Sequence, residues 1–333
     1  MTLSFSFIIP VYNRPEEIRE LLESLLAQTY KGPFEIVIVE DGSTLDAKEV
    51  VSQFTEKLTI SYFEKPNSGP GDSRNYGMHR AKGNYFIILD SDCVLPPQYL
   101  EVTAKSLQGH FVHCYGGPDA AQSSFSLVQK AINYAMTSVL TTGGIRGNKR
   151  AIGKFQPRSF NMGLSKEVFE KVGGFGKIHP GEDPDLTFRI WEMGYDTKLI
   201  PEAFVYHKRR IDWHKFYIQV TKFGMVRPIL NKWHPHTSKP TYWFPTLWCL
   251  GLLVAIFMSI FGILLPLYCY GLYVGLIVVD SLLKNKSISI ALLSLVAVAI
   301  QFVGYGYGFL KSTILINFSK RNPREIFPKL FFN

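Results

Sequence analysis

The chain has 333 residues, 47% of them hydrophobic and 19% charged, and a formal net charge of +9. Residues 1–202 hold 21 Lys and Arg against 24 Asp and Glu, residues 203–240 hold 8 against 1, and residues 241–333 hold 7 against 2. The basic excess thus lies beside the long apolar stretches of the last third, which suits an anionic membrane surface and argues against nucleic acid as the partner. Four cysteines (Cys93, Cys114, Cys249, Cys269) without a CxxC pair suggest neither a disulfide framework nor a zinc site.

The amino-terminal run MTLSFSFIIPVYNRP has no basic n-region and only a short apolar core, so it does not read as a signal peptide, and the polar domain is expected to stay in the cytosol. Apolar runs FSFIIP, FEIVIVE, LTISYF, NYFIIL and HFVHCY then alternate with helical patterns. In the first of these patterns, Pro15 to Gln28, Ile18, Leu21, Leu22, Leu25 and Leu26 share one face. This alternation predicts an α/β domain with a mostly parallel sheet, whose ligands bind at the carboxyl ends of the strands. Those ends are polar: Val11-Tyr12-Asn13, Glu40-Asp41-Gly42-Ser43 and Asp90-Ser91-Asp92.

Asp90 and Asp92 flank a serine directly after a strand. A hard divalent ion that bridges phosphates needs few protein carboxylates, so this pair is a candidate ligand set, with a plain turn before Pro96-Pro97 as the alternative. The segment Asn67 to Asn75 reads as a glycine-bearing loop entering a helix, with Arg74 in its first turn; both the helix start and the guanidinium attract phosphate. Further on, GEDPDL places Glu182, Asp183 and Asp185 within four positions. Asp183 suits a helix cap with Pro184 at the first helical position and a stop at Gly194, and a cap there is expected to have its pKa lowered by the helix dipole.

Residues 208–240 interleave Lys and Arg with Trp213, Phe216, Tyr217, Phe223 and Trp233, the mixture of an amphipathic helix lying among lipid headgroups. No formal charge occurs between Lys239 and Asp280, or from Ser287 to Leu310. Three membrane helices are expected, at about 245–264, 267–283 and 288–310, the first two turning near Leu265-Pro266. Three crossings would leave the basic tail, residues 319–333, opposite a cytosolic domain, against the positive-inside tendency. Gly304, Gly306 and Gly308 permit close helix packing or a break.

FIIPVYNRPEEI, VEDGS, GPGDSRN, LDSDC, NMGLSKEVFEKVGGF and GEDPDL, in this order, resemble the family 2 glycosyltransferases of the GT-A fold, over roughly residues 4–210. The resemblance implies a GT-A domain over 1–207; composition and charge place an interfacial region over 208–240, membrane helices over 241–318 and a basic tail over 319–333. It implies that Pro10, Tyr12, Glu40 and Asp41 hold the nucleoside, Arg74 meets the pyrophosphate, and Asp90 meets the ribose or donor sugar. Asp92, with His207, would hold a divalent metal, Mn2+ or Mg2+. Asn161, Met162, Gly163 and Gly174 would shape the sugar and acceptor pocket, Glu182 would bind acceptor or orient the base, and Asp183 would be the general base of an inverting transfer.

The Gln-x-x-Arg-Trp string of processive polysaccharide synthases in this family does not occur. The expected function is therefore transfer of one sugar from a UDP-, GDP- or dTDP-linked donor to a lipid-linked or cell-envelope glycan, by an enzyme in a bacterial-type cytoplasmic membrane. A polyprenyl-phosphate sugar synthase and a catalytically silent nucleotide-sugar-binding subunit are the alternatives.

Overall fold

In a computed structural model, residues 2–120, 125–142, 154–207 and 212–332 are described. The chain packs as two compact units. The first comprises residues 1–122, 153–208 and 331–333, and the second comprises residues 123–152 and 209–330. The described residues 125–142 pack with the second unit and 331–332 with the first.

The first unit begins with β1 (Phe5–Val11), α1 (Pro15–Leu26), β2 (Phe34–Asp41), α2 (Lys48–Ser52), β3 (Ile60–Lys65), α3 (Pro70–Arg80), β4 (Tyr85–Leu89), β5 (Cys93–Val94), α4 (Tyr99–Gly109), β6 (Cys114–Gly116) and β7 (Asp119–Ala120). After α5 (Leu127–Thr137) and α6 (Val139–Thr142), which belong to the second unit, it resumes with β8 (Asn161–Ser165), α7 (Lys166–Val172), α8 (Glu182–Glu192), β9 (Thr197–Leu199) and β10 (Val205–His207). Seven strands form a sheet in the order β3-β2-β1-β4-β8-β6-β9, and β5-β10-β7 form a smaller one. The β3-β2-β1-β4 half is parallel throughout, β8 runs antiparallel to both neighbours, and β6 and β9 are parallel.

Strand residues alternate between two cores because successive side chains leave opposite faces. Phe5, Phe7, Ile9, Ile36, Ile38, Tyr85 and Ile87 pack with Ile18, Leu21, Leu22 and Leu25 of α1. Ile8, Val37, Val39, Phe86 and Ile88 pack with Met78, Val168, Leu186 and Ile190 of α3, α7 and α8. Leu26, expected on the buried face of α1, is exposed at the helix end. Helices on both faces leave the carboxyl ends of the parallel strands free, and there Tyr12–Arg14, Asp41, Lys65 and Asp90–Asp92 follow their strands.

The second unit contains α5, α6, α9 (Trp213–Trp233), α10 (Phe244–Ile260), α11 (Leu265–Asn285), α12 (Ile288–Phe318) and α13 (Pro323–Ile326). Three helical stretches are long and apolar enough to cross a membrane: Pro240–Ile260, Leu265–Asn285 and Ile288–Phe318. The turn between the first two falls where Pro266 and Gly262 place it, Gly262 having φ +81°. The third is longer than expected: it continues past Leu310 through Lys311 to Phe318, a 31-residue helix without a break.

That length is used in packing against α9. A Cβ on Gly224 would lie 2.3 Å from the Tyr305 carbonyl oxygen, and one on Gly308 would lie 2.3 Å from that of Thr221, so the two backbones touch where only glycine fits. Helix α9 therefore has one side packed against α12. Phe216, Val220, Gly224, Val226, Ile229 and Leu230 are buried, and of the aromatics expected at an interface Tyr217 and Trp233 are exposed while Phe216 is fully enclosed. Gly224→Val inserts a branched side chain into that seam; we expect a loss of about 1–3 kcal/mol, read as a lower unfolding temperature in detergent, with Gly271→Val, where a Cβ meets nothing within 4 Å, as the neutral control.

Candidate active site

The loops after β1 and β2 are stitched together by one asparagine. Asn13, at φ 54°, accepts hydrogen bonds at its Oδ1 from the Thr44 and Leu45 amides (2.8 and 2.9 Å), and its own amide donates to Ser43 Oγ at 2.7 Å. Glu40 faces inward. Its Oε1 accepts from Ser43 Oγ, and its Oε2 accepts from the Ala47 amide (3.0 Å) and from the Tyr62 hydroxyl (2.8 Å). Glu40 thus shapes the loop with both oxygens engaged, and lines a cleft of about 290 Å3 with Gly42, Ser43, Asp46, Glu64 and Lys65.

Asp41 does the corresponding work for the loop into α3. It accepts from the Ser68 and Gly69 amides, both at 3.0 Å, and pairs with the buried Lys65. Pro10 lies in β1 opposite Val39 of β2, and Tyr12 beyond the strand end is 52% exposed, the most accessible ring of this rim.

Arg74 occupies a different place from the one expected of a phosphate ligand. It is 3% exposed, with Nη2 2.7 Å from Asp90 Oδ1 and Nη1 3.5 Å from Glu182 Oε1, and its guanidinium lies 5.2 Å from the centre of the Phe175 ring. Burial alone would favour loss of its proton, but the charges of Asp90, Glu182 and Asp183 outweigh it and raise the pKa. The guanidinium therefore ties the strand-end acid Asp90 to the first residue of α8. A parallel pair holds the other acid of the triplet: Arg14 Nη1 is 2.5 Å from Asp92 Oδ2.

Strand β10 sets His207 across from Cys93, the residue after Asp92. Among the described residues no group of three or more His, Cys, Asp or Glu forms a closed metal cage. The two strand-end carboxylates, Asp90 and Asp92, are each paired with an arginine.

Helix α8 begins two residues earlier than expected. Gly181, at φ 121°, is the N-cap, so Glu182 and Asp183 are its first two residues and Asp183 is not the cap. Glu182 is buried between Arg74 and His179, whose Nδ1 lies 2.8 Å from Glu182 Oε1. Burial pushes the Glu182 carboxyl up, but His179 and Arg74 prevail and hold it below the usual range. Asp183 behaves oppositely. Burial, then the charge of Glu182, raises its pKa against Arg74, Arg158 and a hydrogen bond from Ser159. The lowering expected from the helix dipole is thus overridden, and the two adjacent acids are driven apart. Asp183 as a residue is half-buried, and its Oδ1 is enclosed without a hydrogen-bond partner among the described residues.

The residues expected to shape a sugar pocket instead fill the sheet. Asn161 is fully buried, accepting from the Tyr99 hydroxyl at 2.6 Å and donating to the Ala203 carbonyl at 2.8 Å. Met162 is core, and a Cβ on Gly163 would lie 1.9 Å from the Tyr115 ring. Gly174, at φ 72°, leaves space for Asn75, which exchanges hydrogen bonds with the Phe175 backbone. Small residues here admit neighbouring side chains. Sequence reasoning passed over Arg14, Lys65 and His179; NRPEE, FEKPN and IHPGED held the signal, since a nearby basic residue is what buried carboxylates require.

The geometry has counterparts among known proteins. The glycosyltransferase GlyA of Streptococcus pneumoniae is 40% identical over 232 residues, 68% of this chain and 32% of that protein. AglE of Haloferax volcanii is 29% identical over 221 residues, covering 63% of this chain and 68% of that one. The first curated relatives, uncharacterized glycosyltransferases of Rickettsia, are matched over 15–17% of their length. A mannosyltransferase from Pyrobaculum calidifontis, solved with GDP-Man and Mn2+, aligns with a TM-score of 0.61 at 18% identity over 91% of this chain and 88% of that one, which shows a common fold. The sequence model for glycosyl transferase family 2 matches residues 6–173, from β1 through the donor-side loops and the strand-end acids to α7. With that match spanning half of its length, the chain belongs to glycosyl transferase family 2.

Proposed function

We propose that this protein is a membrane-bound, inverting glycosyltransferase that moves one sugar from a nucleotide-sugar donor to a lipid-linked or cell-envelope glycan, with Asp183 as general base. The observation that carries the reading is the Asp183 carboxylate: an enclosed Oδ1 without a hydrogen-bond partner among the described residues, on a half-buried side chain whose pKa is raised. An acid in that state accepts a proton more readily than an ordinary aspartate. Glu182 stays ionised beside it, sustains its basicity by repulsion, and is fixed by Arg74 and His179.

On the donor side, Asp41 and Glu40 set the loops around which a nucleoside would bind, with Pro10 and Tyr12 at the rim and Asp90 toward the ribose or sugar. Asp92 and His207 would hold a Mn2+ or Mg2+, which when bound neutralises charge on the leaving diphosphate. Arg74 acts through Asp90 and Glu182: it keeps both carboxylates in place and adds positive charge behind the donor. The acceptor oxygen loses its proton to Asp183 as it attacks the anomeric carbon from the side opposite the nucleotide. Three apolar helices and an excess of basic residues at 203–240 support a lipid-borne acceptor at an anionic, cytoplasmic membrane surface.

Asp183→Asn is expected to keep the fold and donor affinity while lowering transfer by about 100-fold or more, measured as nucleotide release and glycan product with UDP-, GDP- and dTDP-sugars, with and without Mn2+. An Asn variant of full activity contradicts the base assignment. Glu182→Gln removes the like charge that raises the Asp183 pKa, so the acidic limb of the kcat/KM profile is expected to move to lower pH. A limb that stays in place or moves to higher pH contradicts the coupling.

A further inference from the structure

Residues 331–332 reach the most constrained part of the first unit. Phe331 forms an antiparallel bridge with Ile178, and the Phe332 amide donates to the Lys177 carbonyl at 3.0 Å. The Phe332 ring then lies against two things. One is Gly69: a Cβ there would be 2.4 Å from the ring, so the ring covers this turn directly. The other is His179, with ring centroids 5.6 Å apart at a 54° tilt.

Both contacts lead to the same place. Gly69, at φ +94°, is the N-cap of α3, the helix that carries Arg74, and its amide is held by Asp41. His179 is the partner of Glu182. His179 leaves 41% of its side chain exposed with Phe332 in place, so its ring is held from few sides and the Phe332 contact is one of them. We propose that Phe332 is a positioning residue for the Glu182–Asp183 pair, acting by packing His179 in the rotamer that holds Glu182 and by covering Gly69, the N-cap of the helix that carries Arg74. This rests on the reading of Asp183 as the base. It assigns to a residue at the far end of the sequence, beyond three apolar helices, a part in the acid pair of α8.

The test uses the full chain in detergent or lipid, with kcat, donor KM and the pH profile measured for Phe332→Ala, Phe332→Tyr, His179→Ala and the double variant. Loss of positioning without loss of a binding contact is expected to lower kcat about tenfold, since small misplacements of reacting groups are costly, with donor KM within about twofold. Phe332→Tyr, which keeps the ring, restores most of the rate. If Phe332 works through His179, Phe332→Ala costs little more in the His179→Ala background, and both single variants shift the acidic limb of the pH profile in the same direction. Wild-type kcat in Phe332→Ala, or losses that add in full in the double variant, overturns the inference. Should Phe332→Ala not fold, Phe332→Leu gives the same comparison with the volume largely kept. Asp183→Asn, run alongside, separates the two questions: an active Asn variant defeats the base reading, whereas an inactive Asn variant with an unaffected Phe332→Ala defeats only the role of Phe332.

Discussion

One buried guanidinium organises the catalytic unit. Arg74 is almost wholly withdrawn from water, and a charge in that position is tolerable only when paired and hydrogen-bonded. Its partners are Asp90, at the end of β4, and Glu182, at the start of α8, residues that are 92 positions apart in the chain. The acid at the strand end and the acid at the helix start are therefore not independent. Moving either one leaves a buried positive charge short of a partner, so the helix start and the strand end are held together by the cost of separating them.

From that constraint the opposite behaviour of two neighbouring acids follows. Glu182 faces Arg74 and His179 and stays ionised; Asp183 lies one residue further, is enclosed, and feels Glu182 as a like charge. The same desolvation acts on both, and the difference lies in which side each takes of the paired cluster. Around this centre the loops are fixed by backbone-directed side chains: Asn13 joins the first two strand ends, Glu40 closes the turn after β2, and Asp41 binds the amides that begin α3. Glu40 also lines the cleft, with Gly42, Ser43, Asp46, Glu64 and Lys65.

Much of the architecture was legible in the sequence because period-two apolar runs and strand-end acids are local signals. The parallel order of β1, β2, β3 and β4, the acids that follow them, and three long apolar helices all come from patterns within short windows. What was not legible depends on partners far apart in the chain. The Asn161-Met162-Gly163 run reads as a pocket by analogy, yet Tyr99, Tyr115 and Ala203 occupy that space. Asp183 reads as a cap because Pro184 follows it, whereas Gly181, at positive φ, is the cap and the helix starts two residues earlier. The basic aromatic segment reads as a surface helix because its composition hides the glycine-lined seam with α12, which needs Gly224 and Gly308 to be considered together.

The central claim is that Arg74 couples the donor end to the base. It is tested most directly with Arg74→Gln, verified as folded by circular dichroism, by measuring donor affinity and the acidic limb of the pH profile in the same preparation. Removing this positive charge takes away an interaction that lowers the Asp183 pKa and one that holds Asp90, so the account predicts weaker donor binding together with a limb displaced to higher pH. A folded variant in which donor affinity and limb both remain at wild-type values would contradict it.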